Sequence, residues 1–175
     1  MSLSIGETRN LLGSAEYLPG LLQSRVESYR KIYELNRHRV YSLAFWMTDN
    51  ELAAEEVMIQ TFCRAFAENE EPTADDIDRA LIADLREYMP LGDLTLVCAP
   101  CNRVLSVRLK TCNTLRVELE RAVVQLPSTE RIIFLMHDVE GYDHARIARL
   151  LDVTEGDSYR AAHQARLRLR ELLAK

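Results

Sequence analysis

Residues 126–153 read LPSTERIIFLMHDVEGYDHARIARLLDV, and this stretch decides the fold of the chain. Apolar side chains at helical spacing predict a short helix over residues 142–151, and a polar turn over residues 152–156 follows it. We expect Asp157 to cap and open a last helix that ends near Ala174. Two helices joined by a tight turn, the second of them basic on one side, predict a helix-turn-helix.

The last helix is predicted to have two different sides. Small or apolar residues at Ala148 and Val153 lie where the two helices must meet. The inward side of the last helix comprises Ala161, Ala165, Leu169 and Leu172. The outward side carries side chains that suit phosphates and base edges, and these are the predicted DNA-binding residues: Ser158, Tyr159, Arg160, His163, Gln164 and Arg166. A merely solvated amphipathic helix is the alternative interpretation.

The first half of the chain is also predicted to be helical. Residues 25–67 carry apolar side chains three and four apart, from Ile32 and Leu35 to Leu52 and Phe66. Turn-forming residues interrupt this pattern, so we expect two helices with a break near residue 49. A third helix is predicted to begin after an N-cap at Thr73 and to stop at Pro90 and Gly92.

Residues 94–111 have a different character. Two runs with a period of two surround residues 100–102, which predicts a short β-hairpin, with a buried helix for the second run as the alternative. Helical spacing returns at Leu115, and its apolar face is expected to include Leu119, Ala122, Val123 and Leu126. Ser128 is expected to be the N-cap of the next helix.

The composition limits the partners. Hydrophobic residues make up 47% of the 175 residues, enough for a core, and the formal net charge is −5. Residues 1–90 carry −7 and residues 91–175 carry +2, with +4 in residues 158–175. A nucleic acid should therefore meet the C-terminal end first, and the overall acidity argues against a general polyanion binder. Residues 1–10 show no signal peptide and no membrane span is evident, so we expect a cytoplasmic location.

Metal and enzyme chemistry have weak support. Cys98 and Cys101 have zinc-knuckle spacing and Cys112 follows, but a fourth ligand is not evident, and small apolar side chains at a module interface are the favoured interpretation. The chain contains none of the glycine-rich, nucleophile-elbow or metal-binding motifs that mark common enzyme sites. We therefore expect no cofactor, no metal and no enzymatic activity.

The C-terminal pattern resembles region 4 of the extracytoplasmic-function (group 4) sigma factors. The resemblance rests on residues 126–131, 134–142 and 147–153, and it continues through Gly156, His163, Ala165 and Arg166. Residues 33–44 and 54–66 are similar to region 2 of the same family. The resemblance implies an all-α protein that joins core RNA polymerase, directs it to promoter DNA, and recognises the −35 element through the helix-turn-helix.

The resemblance also implies a polymerase-binding face, and here the chain departs from the family. The family's region 2 helix docks on core polymerase, which makes Glu55, Glu56 and Gln60 candidates, although a solvated helix face is the alternative. The family's glutamine falls on Ile59. The stretch that reads and opens the −10 element in the family corresponds to residues 75–87, which lack its tryptophan and asparagine.

Charge makes that stretch a poor partner for DNA. Residues 66–90 hold eight acids and two bases, whereas capture of a single strand needs stacking platforms and a positive groove. Two interpretations stay open. The chain is a divergent sigma factor, or it is a sigma-like protein-interaction module that binds an anti-sigma factor or itself without melting promoters. The predicted organisation is an extension (1–24), a region 2-like module (25–92), a linker (93–112) and a region 4-like module (113–175).

Overall fold

The computed structural model describes residues 17–92, 94 and 116–174, and all regular structure within them is helical. The predicted all-α class is confirmed. The helices are α1 (Tyr17–Thr48), α2 (Glu51–Glu68), α3 (Ala74–Tyr88), α4 (Arg116–Val124), α5 (Ser128–Phe134), α6 (His144–Leu151) and α7 (Glu155–Leu173), and α5 continues as a wider π-helical turn over Leu135–Val139. The predicted hairpin lies, apart from Leu94, outside the described residues, as do Cys98, Cys101 and Cys112.

Local signals set the helix boundaries in the first half as predicted. Asp49 adopts a left-handed backbone with φ 52°, which separates α1 from α2. Asn50 caps α2, because its side-chain oxygen accepts from the backbone N–H of Ala53 at 3.1 Å. Thr73 and Asp76 form a reciprocal capping box at the start of α3. α1 begins at Tyr17, inside the stretch that was expected to be an extension.

Three boundaries in the second half differ from prediction. Ser128 is the first residue of α5 rather than its N-cap, because the Pro127 carbonyl already accepts from the Arg131 N–H at 2.8 Å. α6 starts at His144, two residues later than expected, after an N-cap at Asp143. α7 starts at Glu155 rather than Asp157, since Thr154 is the N-cap and its hydroxyl accepts from the Asp157 N–H at 3.0 Å.

One apolar core runs through both halves of the chain. Its fully buried large side chains come from α1, α3, α5 with its π-helical turn, and α6, and from the segment between α4 and α5: Leu43, Met47, Ile77, Leu81, Ile82, Leu85, Leu126, Ile132, Ile133, Met136, Ile147 and Leu151. The predicted apolar stripes were too wide, because Leu35, Leu52 and Leu119 are exposed. A spacing of three and four admits residues at the edge of a helix face that a narrow contact leaves in solvent.

Polar contacts join the two halves at their helix ends. Arg131 of α5 donates to the Met47 carbonyl at 3.0 Å, at the C-terminal end of α1, where carbonyls lack partners within the helix. In the opposite direction, Arg86 of α3 donates to the Leu151 carbonyl at 2.9 Å, at the end of α6. Each half therefore supplies an arginine that satisfies a helix terminus of the other.

A buried ionic cluster lies between α1, α3 and α6, and we call it the Asp78 cluster. The Asp78 carboxylate is 0% exposed and contacts Arg39 at 2.7 Å and Arg146 at 2.7 Å. The Tyr142 hydroxyl donates to the same carboxylate at 2.8 Å. Burial and the nearby Asp78 charge raise the pKa of Tyr142 to about 12. Asp78 is in the first half of the chain, and Tyr142 and Arg146 are in the second.

Candidate nucleic-acid interface

A three-residue turn joins α6 to α7. Asp152 ends α6 in a left-handed conformation, with φ 58° and ψ 47°. The Val153 N–H donates to the Ala148 carbonyl at 3.1 Å, and the Val153 side chain packs on the core as predicted. Thr154 then caps α7. This geometry is that of a tight helix-turn-helix, in which α7 occupies the position of the recognition helix.

The inward side of α7 is made of small side chains. Ala161 and Ala165 are fully buried and Leu169 is nearly so, which confirms the predicted stripe, and Leu172 packs at its edge. Ala162 is also buried. Because alanine lets two helix backbones approach closely, α7 is held firmly against α5 and α6, and its opposite side is left outward.

Three of the predicted DNA-binding residues are exposed on the outward side of α7. Tyr159 is 63% exposed, the Arg160 side chain is 60% exposed, and His163 is exposed one turn further on. Gln164 and Arg166 are half-buried at the flank of this surface. Ser158 does not lie on this exposed surface. It is fully buried on the inward side of α7, and its hydroxyl is 3.0 Å from Nδ1 of His144.

The arginines of this surface already have carboxylate partners. Arg160 pairs with Asp157 one turn earlier, and Arg166 Nε donates to Asp138 Oδ2 at 2.9 Å. The hydrogen bond from the Thr154 hydroxyl, followed by that from Arg160, lowers the pKa of Asp157. The hydrogen bond to Asp138 raises the pKa of Arg166. Exposed pairs of this kind contribute at most about 1 kcal/mol, so a phosphate can replace the carboxylate at low cost.

A pair of histidines supports the start of α7, and the sequence prediction missed it. The His137 and His144 rings stack with their centroids 4.0 Å apart, and the Tyr159 ring meets His144 edge-on at 5.4 Å. Burial, with a smaller effect of the His137 charge, lowers the pKa of His144. The neutral His144 ring is therefore favoured, and it orients both Ser158 and Tyr159.

The predicted polymerase-binding residues lie on α2. Glu55 and Glu56 are exposed, and half-buried Gln60 donates to the Glu56 carboxylate at 3.4 Å. Leu52 and Ile59 are large exposed apolar residues at helical spacing from these acids. The exposed face of α2 thus carries both acidic and large apolar side chains.

The family comparison bears on the same helices that form this interface. Residues 116–169 match the family model described as Sigma-70, region 4. The matched segment is about a third of the chain and runs from α4 through most of α7. The match supports a sigma-type region 4, a helix-turn-helix domain for promoter −35 DNA that carries no enzymatic chemistry. A comparison with curated proteins finds no significant match to the chain.

Three further findings concern the described residues. In residues 17–92, 94 and 116–174, no group of three or more histidine, cysteine or acidic side chains is arranged to hold a metal ion. Among the helices that the structure describes, none has both the length and the apolar character that crossing a bilayer requires. Cys63 is a free, exposed cysteine.

Proposed function

We propose that this protein is a sigma factor of the extracytoplasmic-function type that binds core RNA polymerase and recognises −35 promoter DNA through α7. The observation that carries the proposal is the exposed surface of Tyr159, Arg160 and His163 on the second helix of a helix-turn-helix, within the segment that matches region 4. A polymerase partner would place the protein in the cytoplasm.

The chemistry of the α7 surface suits a duplex. A helix with its side chains is about 10–12 Å across, which fits a major groove about 12 Å wide. Guanidinium groups at Arg160 and Arg166 suit guanine edges or phosphates, and the amide of Gln164 suits adenine. Tyr159 and His163 would contact the same groove from positions beside them. Ser158, also predicted, is buried here and would act by holding His144.

Binding of the polymerase is assigned to the exposed face of α2. Glu55, Glu56 and Gln60 supply charge and hydrogen bonds, and Leu52 and Ile59 supply apolar area. The chemistry of RNA synthesis belongs to the polymerase. A Glu55→Lys/Glu56→Lys variant should bind purified core enzyme at least tenfold more weakly in a native-gel titration, whereas Glu118→Lys at an exposed position of α4 should not.

The DNA-binding assignment is tested by the salt dependence of duplex binding. Each phosphate contact contributes about 0.9 to the slope of log affinity against log salt, so Arg160→Ala/Arg166→Ala should flatten the slope by up to about 1.8. The matched control is Arg30→Ala/Lys31→Ala, which removes two exposed cations from α1, outside the helix-turn-helix. Equal slopes for the two variants would contradict the assigned DNA face.

A second candidate is a sigma-like interaction module that binds an anti-sigma factor or self-associates. One observation favours it: α3, which corresponds to the −10-reading stretch of the family, has Asp78 and Asp84 buried in ion pairs within the chain. Mobility-shift titrations of the chain with promoter fragments, alone and with core enzyme, separate the candidates. Polymerase binding without any promoter-dependent shift would favour the interaction module.

A further inference from the structure

Tyr159 is an exposed aromatic side chain near the start of α7, the helix in the recognition position. It is the fifth residue of that helix and is 63% exposed. In a helix-turn-helix, the N-terminal residues of the recognition helix contact base edges. The ring of Tyr159 carries no charge, so it cannot form an ion pair with a phosphate as Arg160 beside it can. The contact that this ring can supply is an apolar one with the edge of a base.

A histidine of α6 supports the Tyr159 ring from within the chain. The His144 ring meets it edge-on, with the two centroids 5.4 Å apart, and this is a favourable arrangement of two aromatic rings. The Nδ1 atom of His144 also lies 3.0 Å from the hydroxyl of Ser158, which is fully buried. His144 therefore contacts two consecutive residues of α7, one through a hydrogen bond and the other through its ring.

A second histidine fixes His144 in turn. The rings of His137 and His144 stack with their centroids 4.0 Å apart. Nδ1 of His137 lies 2.8 Å from the Tyr142 carbonyl, and because a carbonyl oxygen only accepts, this nitrogen donates the hydrogen bond. His137 belongs to the π-helical turn Leu135–Val139, a kind of turn that is frequent at functional sites. The ring that supports Tyr159 is thus itself held by another ring and by the backbone.

The major groove offers a matching apolar group. Among the four bases only thymine displays a methyl group there, at C5, and apolar side chains contact it. The bases of an intact duplex are stacked on one another, so a side chain in the groove meets their edges and not their faces. A ring that is already held in place also loses less conformational freedom on binding.

We propose that His137 and His144 are positioning residues that hold the Tyr159 ring against the 5-methyl group of a thymine in the −35 duplex. Tyr159 then determines part of the sequence preference, whereas Arg160 and Arg166 supply contacts to phosphates or guanine. The inference rests on the proposed recognition of −35 DNA by α7, and it names the base that one position of that DNA carries.

The test removes the methyl group alone. Duplexes that the wild-type chain binds are selected from a pool with a randomised centre, and the sequence that they share is synthesised with a fluorescein label. Each thymine is then replaced in turn by deoxyuridine, which lacks only the 5-methyl group, and binding of the full chain is measured by anisotropy. At one position the replacement should weaken wild-type binding by about fourfold, the effect of one buried methyl group.

Variants of the ring and of its support assign this difference. Tyr159→Ala should bind the thymine and deoxyuridine duplexes with less than about a twofold difference, whereas Tyr159→Phe should keep about fourfold. His144→Ala should lose the difference in the same way, and His144→Phe, which restores an aromatic ring, should recover it. The matched control is His38→Ala, which removes an exposed histidine of α1. The slope of log affinity against log salt should stay the same for Tyr159→Ala, because no cation is lost.

Each part of the inference has its own contradicting result. If no thymine replacement weakens binding, or if wild type and Tyr159→Ala lose equally, Tyr159 does not read a methyl group although DNA binding stands. Loss of the difference in Tyr159→Phe would make the hydroxyl the reader and would overturn the apolar contact. A folded His144→Ala variant with the full difference would overturn the positioning role.

Two further arms keep these outcomes distinct. If His144→Ala does not fold, His144→Gln keeps a hydrogen-bonding partner for Ser158 without the ring and should still lose the difference. Tyr159 is exposed, so its own variants test the methyl contact without disturbing the core. If the wild-type chain selects no sequence, alone or with core polymerase, the proposed function fails and the inference falls with it.

Discussion

Neutralising Asp78 should destabilise the whole fold, because the Asp78 cluster joins the two halves. Asp78→Asn keeps the shape of the side chain but leaves Arg39 and Arg146 without their shared anion. Removing one partner of a buried ion pair costs about 3–5 kcal/mol. The Arg39 and Arg146 side chains are 17% and 26% exposed, so water can partly replace the carboxylate. We therefore expect Asp78→Asn to lower the free energy of unfolding by an amount near the lower limit of this range, about 3 kcal/mol.

The assay is urea unfolding followed by far-UV circular dichroism, with a thermal melt as a second measurement. For a chain of this size, about 3 kcal/mol corresponds to a fall of about 6–12 °C in melting temperature. Asp75→Asn is the matched control, because its exposed pair with Arg146 should contribute no more than about 1 kcal/mol. If Asp78→Asn loses no more stability than Asp75→Asn at an unchanged m-value, the cluster does not hold the halves together.

Three further predictions concern single residues that cap or bridge helices. The pKa of Tyr142 rises from about 10 in the unfolded chain to about 12 in the fold, so the stability that it contributes is present below pH 10 and is lost as the pH rises from 10 to 12. The loss over this range is on the order of 3 kcal/mol, and Tyr142→Phe should flatten that part of the pH–stability curve. Thr154→Ala removes the N-cap of α7 and should lower the free energy of unfolding, measured in urea, by about 1 kcal/mol. A decrease of less than about 0.3 kcal/mol would contradict the capping role. Arg131→Met should lower the free energy of unfolding by about 2–4 kcal/mol, because the Met47 and Leu126 carbonyls lose their donor. Hydrogen exchange of backbone amides near the end of α1 should become faster. Unchanged exchange there would contradict the role of Arg131 in joining the two halves.

Local signals in the sequence predicted the elements whose ends depend on their own neighbours. The break at Asp49 and the cap at Thr73 are confirmed, because turn and capping preferences act within a few residues. The starts of α5 and α7 were wrong by one or two residues. The N-cap of α5 is Pro127, which has no capping side chain, so the preference for serine at this position was misleading. At α7 both Thr154 and Asp157 are good capping residues, and only the hydrogen bond from the Asp157 N–H to the Thr154 hydroxyl decides between them.

The acids of α3 show what the sequence could not predict. Their number predicted repulsion from DNA, but their partners are distant in the chain, as Asp78 and Arg146 are 68 residues apart. No periodicity reports such a contact, because it depends on how the two halves pack. The same holds for the His137–His144 stack, whose members are separated by the end of one helix and the start of another. For α7, in contrast, the apolar spacing predicted its inward side, and the outward position of Tyr159, Arg160 and His163 followed from it.

The central claim is that α7 directs polymerase to promoter DNA, and run-off transcription tests it most directly. Core RNA polymerase is reconstituted with the wild-type chain or with Arg160→Ala/Arg166→Ala and given a pool of genomic fragments. The account predicts transcripts from a limited set of fragments that share a −35 sequence, and their loss with the variant. If the wild-type chain starts no transcript, or if the variant starts the same set as efficiently, the claim is contradicted.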